Sequence, residues 1–284
     1  MRLAHFSDVH VTLSPFTEGW RGLGLKRLLG GLNYYFGRRG QRFSGSGQRL
    51  ERLLETIDSL GVDHALCTGD LTSMSFRAEF EAAAAIFGPR AQDPARFTVL
   101  PGNHDRYVQE AIAGRWFEAQ FSAVAAPQYP FEKPLAAGVT LVLVDVTRAT
   151  RPFDSSGWCG PQQLQALREI LERRREGFLA VALHYGLLRK DGARDRRTHG
   201  IRDDRELLAL LDDPNLHVDL VLHGHMHGAY RVGTERRSIG CAGSATDLAH
   251  GCGFDVYDID PGTRRFSVQR YAYARDRDRY VAVP

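Results

Sequence analysis

Residues 96–105 read Arg96-Phe97-Thr98-Val99-Leu100-Pro101-Gly102-Asn103-His104-Asp105: an apolar run that stops at Pro-Gly and then delivers a carboxamide, an imidazole and a carboxylate in succession. The run predicts a short buried strand over 96–100, and the glycine lets the chain turn sharply at its carboxyl end. The same arrangement recurs on both sides. A strand over 2–7 ends in Asp8-Val9-His10, one over 63–68 in Gly69-Asp70, one over 178–183 in His184, and one over 217–222 in Gly224-His225-Met226-His227. Helical periodicity falls between them, over 48–60, 75–87, 161–176 and 203–211, with a further strand at 140–146. Such alternation predicts an α/β fold, in which side chains leaving the carboxyl ends of neighbouring strands converge on one crevice.

Each cluster alone is an ordinary polar loop; five of them at equivalent strand ends make a site. The donors are carboxylate, carboxamide and imidazole with no thiolate, which suits borderline divalent metals and argues against Cu(I) or iron–sulfur chemistry. Four imidazoles (His10, His184, His225, His227) with two carboxylates (Asp8, Asp70) and the amide of Asn103 exceed the needs of one ion. They suit two ions about 3.5–4 Å apart that share a carboxylate. His223 is expected to face away from them by strand alternation.

The ordered series D-x-H, G-D, G-N-H-D, H and G-H-x-H, spanning Asp8 to His227, resembles the calcineurin-like metallophosphoesterases, and among them the bacterial branch of the cyclic-nucleotide-phosphodiesterase type. The resemblance implies an α/β fold, a four-layer α-β-β-α sandwich of two mixed sheets flanked by helices, with the strands after Ala229 completing the second sheet. It implies that Asp8, His10 and His227 hold one metal, that Asn103, His184 and His225 hold another, and that Asp70 bridges both. His104 would donate a hydrogen bond or proton to the phosphoryl or leaving oxygen, with Asp105 as its orienting partner or as a turn residue. The cofactors implied are two divalent ions, manganese or iron first, with zinc, cobalt or nickel as alternatives. The reaction implied is attack of a metal-bridging hydroxide on a phosphodiester or phosphomonoester.

The rest of the chain constrains this reading. Its 284 residues suit one domain over 1–284, with an insertion at about 14–49. No apolar run approaches the ~20 residues that span a bilayer, and no apolar leader precedes the first polar cluster, so a cytoplasmic location is expected. Cys67, Cys159, Cys241 and Cys252 are too scattered for a zinc knuckle or a disulfide framework and read as buried, inert residues. A formal charge of +3 makes nucleic acid an unfavoured partner and an exonuclease activity the weaker alternative.

Two segments are candidates for substrate selection. The loop after His184 is rich in Arg, and His199 and Arg202 are its preferred phosphate-binding members because a helix starts at Asp203. Segment 14–49 carries Arg21, Lys26, Arg27, Arg38, Arg39, Arg42 and Arg49 against Glu18 alone, interleaved with Trp20, Leu23, Leu25, Leu28, Leu29, Leu32, Tyr34, Tyr35 and Phe36. Following His10 directly, it is expected to cap the cleft. Its leucines are expected to pack on the domain and its arginines to be solvated, with Gly30-Gly31 breaking any long helix. The other reading is peripheral contact with the inner face of a membrane and a nucleotide-linked lipid pyrophosphate as substrate. A binding module that holds metal without turnover is the alternative of another class.

Overall fold

Central strands buried on both faces build two sheets that pack face to face. The computed structural model describes residues 1–14, 24–36, 39–135, 138–173, 176–234 and 237–284; Glu18, Trp20, Arg21, Leu23 and Arg38, singled out above, lie outside the described residues. The first sheet contains β1 (Arg2–Phe6), β2 (His64–Cys67) and β3 (Phe97–Val99), and the second contains β4 (Phe131–Pro134), β5 (Val139–Leu143), β6 (Phe178–Ala182), β7 (Leu220–His223), β8 (Tyr230–Gly233) and β9 (Ser238–Cys241). The chain then returns to the first sheet with β10 (Gly253–Asp260), β11 (Arg265–Ala274) and β12 (Arg279–Val283). The strand orders are β12-β11-β10-β1-β2-β3 and β4-β5-β6-β7-β9-β8, and the described α-helices are α1 (Leu25–Phe36), α2 (Arg39–Phe43), α3 (Ser46–Ser59), α4 (Arg77–Phe87), α5 (Gln109–Ala113), α6 (Trp116–Phe121), α7 (Pro161–Glu172) and α8 (Asp204–Leu211).

The layers follow from alternate side chains. Leu3 and Leu66 face inward with Leu100 against Leu141, Leu143, Ala180, Ala182, Leu220 and Leu222 of the second sheet. Their neighbours Ala4, Phe6, Ala65 and Cys67 face outward under α3 (Ser46–Ser59) and α4 (Arg77–Phe87), which bury Leu50, Leu53, Leu54, Ile57, Phe80, Ala83 and Phe87. On the far side, Val142, Leu179, Val181 and Val221 meet Leu167, Ile170 and Leu171 of α7 (Pro161–Glu172) and Leu207, Leu210 and Leu211 of α8 (Asp204–Leu211). The result is the helix–sheet–sheet–helix order implied above. All four cysteines are buried thiols within it.

Three expectations are corrected. Of the strands after Ala229, only β8 and β9 finish the second sheet; β10 pairs antiparallel with β1, whose other edge is occupied by β2, so the carboxyl-terminal meander extends the first sheet. Gly30-Gly31 does not break a helix, because α1 (Leu25–Phe36) runs through both. A Cβ on Gly30 would stand 2.9 Å from the Tyr107 hydroxyl, so the missing side chain lets the helix lie against that ring, and packing outweighs propensity. Finally, the insertion's polarity is the reverse of that expected: Arg27 and Arg49 are buried, while Leu25, Leu28 and Leu32 are exposed.

Backbone carbonyls explain the buried arginines. Arg27 reaches Met74 O from Nε (3.1 Å), Ser75 O from Nη2 (2.5 Å) and Glu110 from Nη1 (3.0 Å), and lies 4.5 Å over the Phe76 ring. Arg49 donates from Nε to Thr246 O (2.9 Å). These carbonyls belong to loops that leave strand ends, where no ladder satisfies them, and a guanidinium is the side chain with enough fixed donors to do so. Arg27→Ala is expected to cost about 1–3 kcal/mol in urea unfolding. Arg27→Lys should recover little, since an ammonium cannot span the three acceptors; an unchanged midpoint for either variant would show that α1 is held by other contacts.

Candidate metal centre

Parallel pairing brings the functional loops to one edge. β1, β2 and β3 are parallel in the first sheet, as are β5, β6 and β7 in the second, so Asp8, Asp70, Asn103, His184, His225 and His227 all leave carboxyl ends on the same side. The loops are then stitched to each other: Asp8 N donates to Gly69 O, His10 N to Asp70 O and Gly224 N to His184 O, each at 2.9 Å. Gly102 is required where they cross, because a Cβ there would sit 2.1 Å from Asp70 Oδ1. Of the ten described non-glycine residues with positive φ, five are Asp8, His10, Asp70, His225 and His227. Left-handed backbone costs of order 1 kcal/mol or more at such residues and persists where the surroundings over-determine it, most often at functional sites.

The imidazoles are oriented chiefly by acceptors, with the Arg42 guanidinium also 3.3 Å from His227 Nδ1. His10 Nδ1 faces Thr72 O (3.1 Å), His184 Nδ1 faces Thr68 O (2.7 Å), His225 Nε2 faces His199 O (3.0 Å) and His227 Nδ1 faces Asp247 Oδ2 (3.0 Å). An accepting partner favours a proton on each of these nitrogens and turns the other nitrogen of each ring toward the site. His10 Nε2 and His227 Nε2 lie 3.2 Å apart, with Asp8 Oδ1 at 3.9 and 3.6 Å. Asp8 Oδ1 is itself buried without a hydrogen-bond partner, although Oδ2 accepts from His225 N (2.9 Å). On the other side, Asn103 Oδ1 lies 3.0 Å from His184 Nε2 and 2.8 Å from His225 Nδ1. Asp70 Oδ2 stands between the two groups, 3.6 Å from His10 Nε2 and 3.4 Å from His184 Nε2. Such a gathering of donor atoms could accommodate two cations, one among Asp8, His10, Asp70 and His227 and one among Asp70, Asn103, His184 and His225.

Burial and neighbouring charge oppose each other at these groups, and the Asp70 carboxylate draws positive charge to itself. Burial raises the Asp8 carboxyl above its ordinary range, and the Asp70 charge adds to that. Burial acts likewise on Asp70, but the imidazoles of His184 and His104 outweigh it and hold that carboxyl well below the usual range. His184 is pushed up to about 9, against its burial, by the charge of Asp70. Burial, with His199 and His184 alongside, holds His225 well below its ordinary value, in the neutral form that ligates metal.

The family model for calcineurin-like phosphoesterases matches residues 1–229. The chain belongs to the calcineurin-like phosphoesterase family. Among solved structures, the fold of this phosphoesterase is similar to that of a dimetal phosphatase from Danio rerio, at 13% identity and TM-score 0.61, covering 100% of this chain and 98% of that one. It is also similar to GAP50, the anchor in the inner membrane complex of Plasmodium (12%, TM-score 0.58, 96% and 84% covered), and to a purple acid phosphatase from yellow lupin seeds (12%, TM-score 0.54, 99% and 52% covered). None of the curated proteins matches it. At these identities the neighbours speak for the fold alone, and their breadth agrees with a scaffold that serves several functions.

The seven ligand candidates and His104 of the phosphoesterase thus come together. Of the three other expected residues, His199 lines the cleft, Arg202 does not, and Asp105 takes the turn role of its two expected ones. Asp105 does not touch the His104 ring; its buried carboxylate accepts from Gly102 N (2.8 Å), Leu71 N (3.1 Å) and Thr72 N (2.9 Å), clamping the Asp70 loop to the Asn103 loop. His104 is oriented instead by Ser73 O (2.5 Å from Nδ1) and by stacking on Tyr107, with ring centroids 5.3 Å apart. Arg202 is turned away from the cleft, bonding Asp154 (2.8 Å) and Ser156 (3.0 Å). His199 does line the cleft, its Nδ1 held by Asp195 (2.5 Å), but the start of α8 is no anion site: Asp203 spends its carboxylate on Cys159 N and Gly160 N, and Asp204 and Glu206 occupy the first turn.

A cleft of ≈ 500 Å³ opens over these residues, with Lys26, Arg42, Phe43, Tyr107 and Phe153 on its walls. Sequence motifs missed Phe43, Tyr107 and Asp247. Phe43 packs edge-on against His10 and His227, at 4.7 and 5.7 Å between centroids. Asp247, buried, takes the His227 N–H and pairs with Arg42 of the insertion. Asp247→Asn is expected to weaken the ion held by His227 about 10–100-fold, measured by chelator competition. Unaltered affinity would show that His227 is oriented without that carboxylate.

Proposed function

We propose that this chain hydrolyses a phosphodiester with two divalent cations held by Asp8, His10, Asp70, Asn103, His184, His225 and His227. The observation that carries the proposal is the set of inward-facing donor atoms around Asp70, together with the His104 imidazole beside them. Two cations so held would supply Lewis acidity and bring the pKa of bound water toward neutrality. With no thiolate in the donor set, manganese, iron or zinc would suit it.

The protein's own groups would do the rest. His104 lines the cleft with Nδ1 on Ser73 O, and its imidazolium would donate there to the leaving oxygen as the P–O bond breaks. Stacking on Tyr107 restricts the ring to that orientation. His199, fixed by Asp195 on the opposite wall, would hold a second oxygen of the substrate.

A diester is favoured over a monoester by the scarcity of unspent positive charge. Arg42 is committed to Asp247, which leaves the half-buried Lys26 ammonium over Tyr107 to meet a monoanion and little to balance a dianion. The second reading, a pyrophosphate within a nucleotide-linked lipid, is supported by the exposed leucines of α1 beside the cleft.

Metal-stripped protein reloaded with Mn²⁺ is expected to cleave bis-p-nitrophenyl phosphate faster than p-nitrophenyl phosphate; the reverse order would overturn the diester reading. Asp70→Ala should abolish turnover, and His104→Ala should lower kcat by about 10²–10⁴ while leaving metal content unchanged. A kcat that survives His104→Ala would remove the proton-donor role. Burial pushes the Lys26 ammonium down to about 8, so the charge is present below that pH and lost above it. KM for the anionic diester should therefore rise above pH 8 in the wild type, and this rise should vanish in Lys26→Met.

A further inference from the structure

Among the described residues, five large apolar side chains stand out in solvent: Leu25 (67% exposed), Leu28 (45%), Leu32 (47%), Phe153 (92%) and Trp158 (49%). Four of the five lie on two adjoining segments at the mouth of the cleft, helix α1 and the loop 148–155. Lys26 on the helix bonds Thr150 on the loop (Nζ to Oγ1, 2.9 Å), which joins the two into one rim.

The exposure is built in. Leu25, Leu28 and Leu32 repeat at three and four residues and form one stripe of α1. Arg27 pins the opposite side of the helix to Met74 O and Ser75 O, so the stripe cannot roll into the domain. Phe153 is held outward by a left-handed backbone (φ 65°), and the next residue is locked by Arg202 and by Ser156 N (2.9 Å). An aromatic side chain rarely adopts that conformation, and here the loop spends it on presenting a ring to solvent.

Charge identifies what such a rim fits. Arg151 beside Phe153 is exposed, and Arg196 shares a basin with Phe153 and Arg189. The carboxylates around them are engaged: Asp154 with Arg202, Asp191 with Arg189, Asp195 with His199. Apolar side chains on a rim that carries exposed Arg151 and Arg196, with the nearby acids engaged elsewhere, complement a bilayer with anionic headgroups.

We propose that α1 and the loop 148–155 form a docking rim that seats the mouth of the cleft on an anionic phospholipid bilayer. Leu25, Leu28, Leu32 and Phe153 enter the headgroup–acyl boundary and the neighbouring arginines meet lipid phosphates. This docking goes beyond the hydrolytic reading and does not depend on which ester is cleaved.

The test uses the full metal-loaded chain, without substrate, in vesicle flotation and sedimentation velocity. Wild-type protein is expected to float with mixed phosphatidylcholine–phosphatidylglycerol vesicles and to stay behind with pure phosphatidylcholine. Leu28→Ser and Phe153→Ser, each checked for an unchanged melting temperature, should lower that binding roughly tenfold apiece, and more together. Three results would overturn the proposal: no wild-type binding, binding that the double variant retains in full, or a wild-type dimer that the double variant dissociates, which would give the face to a second copy of the chain. Because the readout is binding, failure here leaves the hydrolysis tests untouched, and failure of those leaves this one standing.

Discussion

Two carboxylates, Asp8 and Asp70, are buried side by side within reach of three imidazoles, those of His10, His184 and His227, and much of the molecule exists to keep them there. Placing such acceptors together out of water is unfavourable unless positive charge sits among them. The scaffold supplies the geometry through parallel strands that end at one edge and through left-handed backbone at five of the ligands. It supplies orientation through carbonyls that face the outer nitrogen of three of the imidazoles and through Asp247, which faces that of the fourth. Strain and desolvation are thus concentrated at the site, and the two packed sheets with their helices offset them.

The supports of that arrangement come from far along the chain. Ser244 Oγ donates to Asp8 O and Thr246 Oγ1 to Val9 O, both at 2.6 Å, across the backbone that carries the first two ligands. Ser46 Oγ does the same for His10 O at 3.1 Å, from the start of α3. Residues 244–247 lie beyond the segment that matches the family model, so the part of this chain outside the match still helps to hold its centre. The return of β10 to pair with β1 is what brings that loop into place.

The insertion shows how local composition can mislead about polarity. Arginines interleaved with leucines look like a helix with an apolar underside and a charged outer face. The surface that α1 meets is made of strand-end loops with unsatisfied carbonyls, which need donors more than methyl groups. Arg27 therefore goes in, with Phe76 against its guanidinium, and the leucine stripe is left outside. Only the chemistry of the facing loops decides this, and those loops lie tens of residues away in sequence.

The sequence by itself determined the layered α/β class, the positions of the strands at whose ends the candidate ligands stand, and the candidates themselves, because short-range patterns carry that information: alternation, glycine at several of the sharp turns, and a chemically matched set of donors. It also marked His104. What only the tertiary structure decided depends on pairs remote in the chain. Asp105 clamps loops instead of orienting His104, Tyr107 and Ser73 do that orienting, Asp247 and Phe43 back the histidines, and the last three strands join the first sheet. None of these has a local signature, since a hydrogen-bond partner, a stacking ring or a sheet edge becomes visible only when the long-range register brings it within a few ångströms.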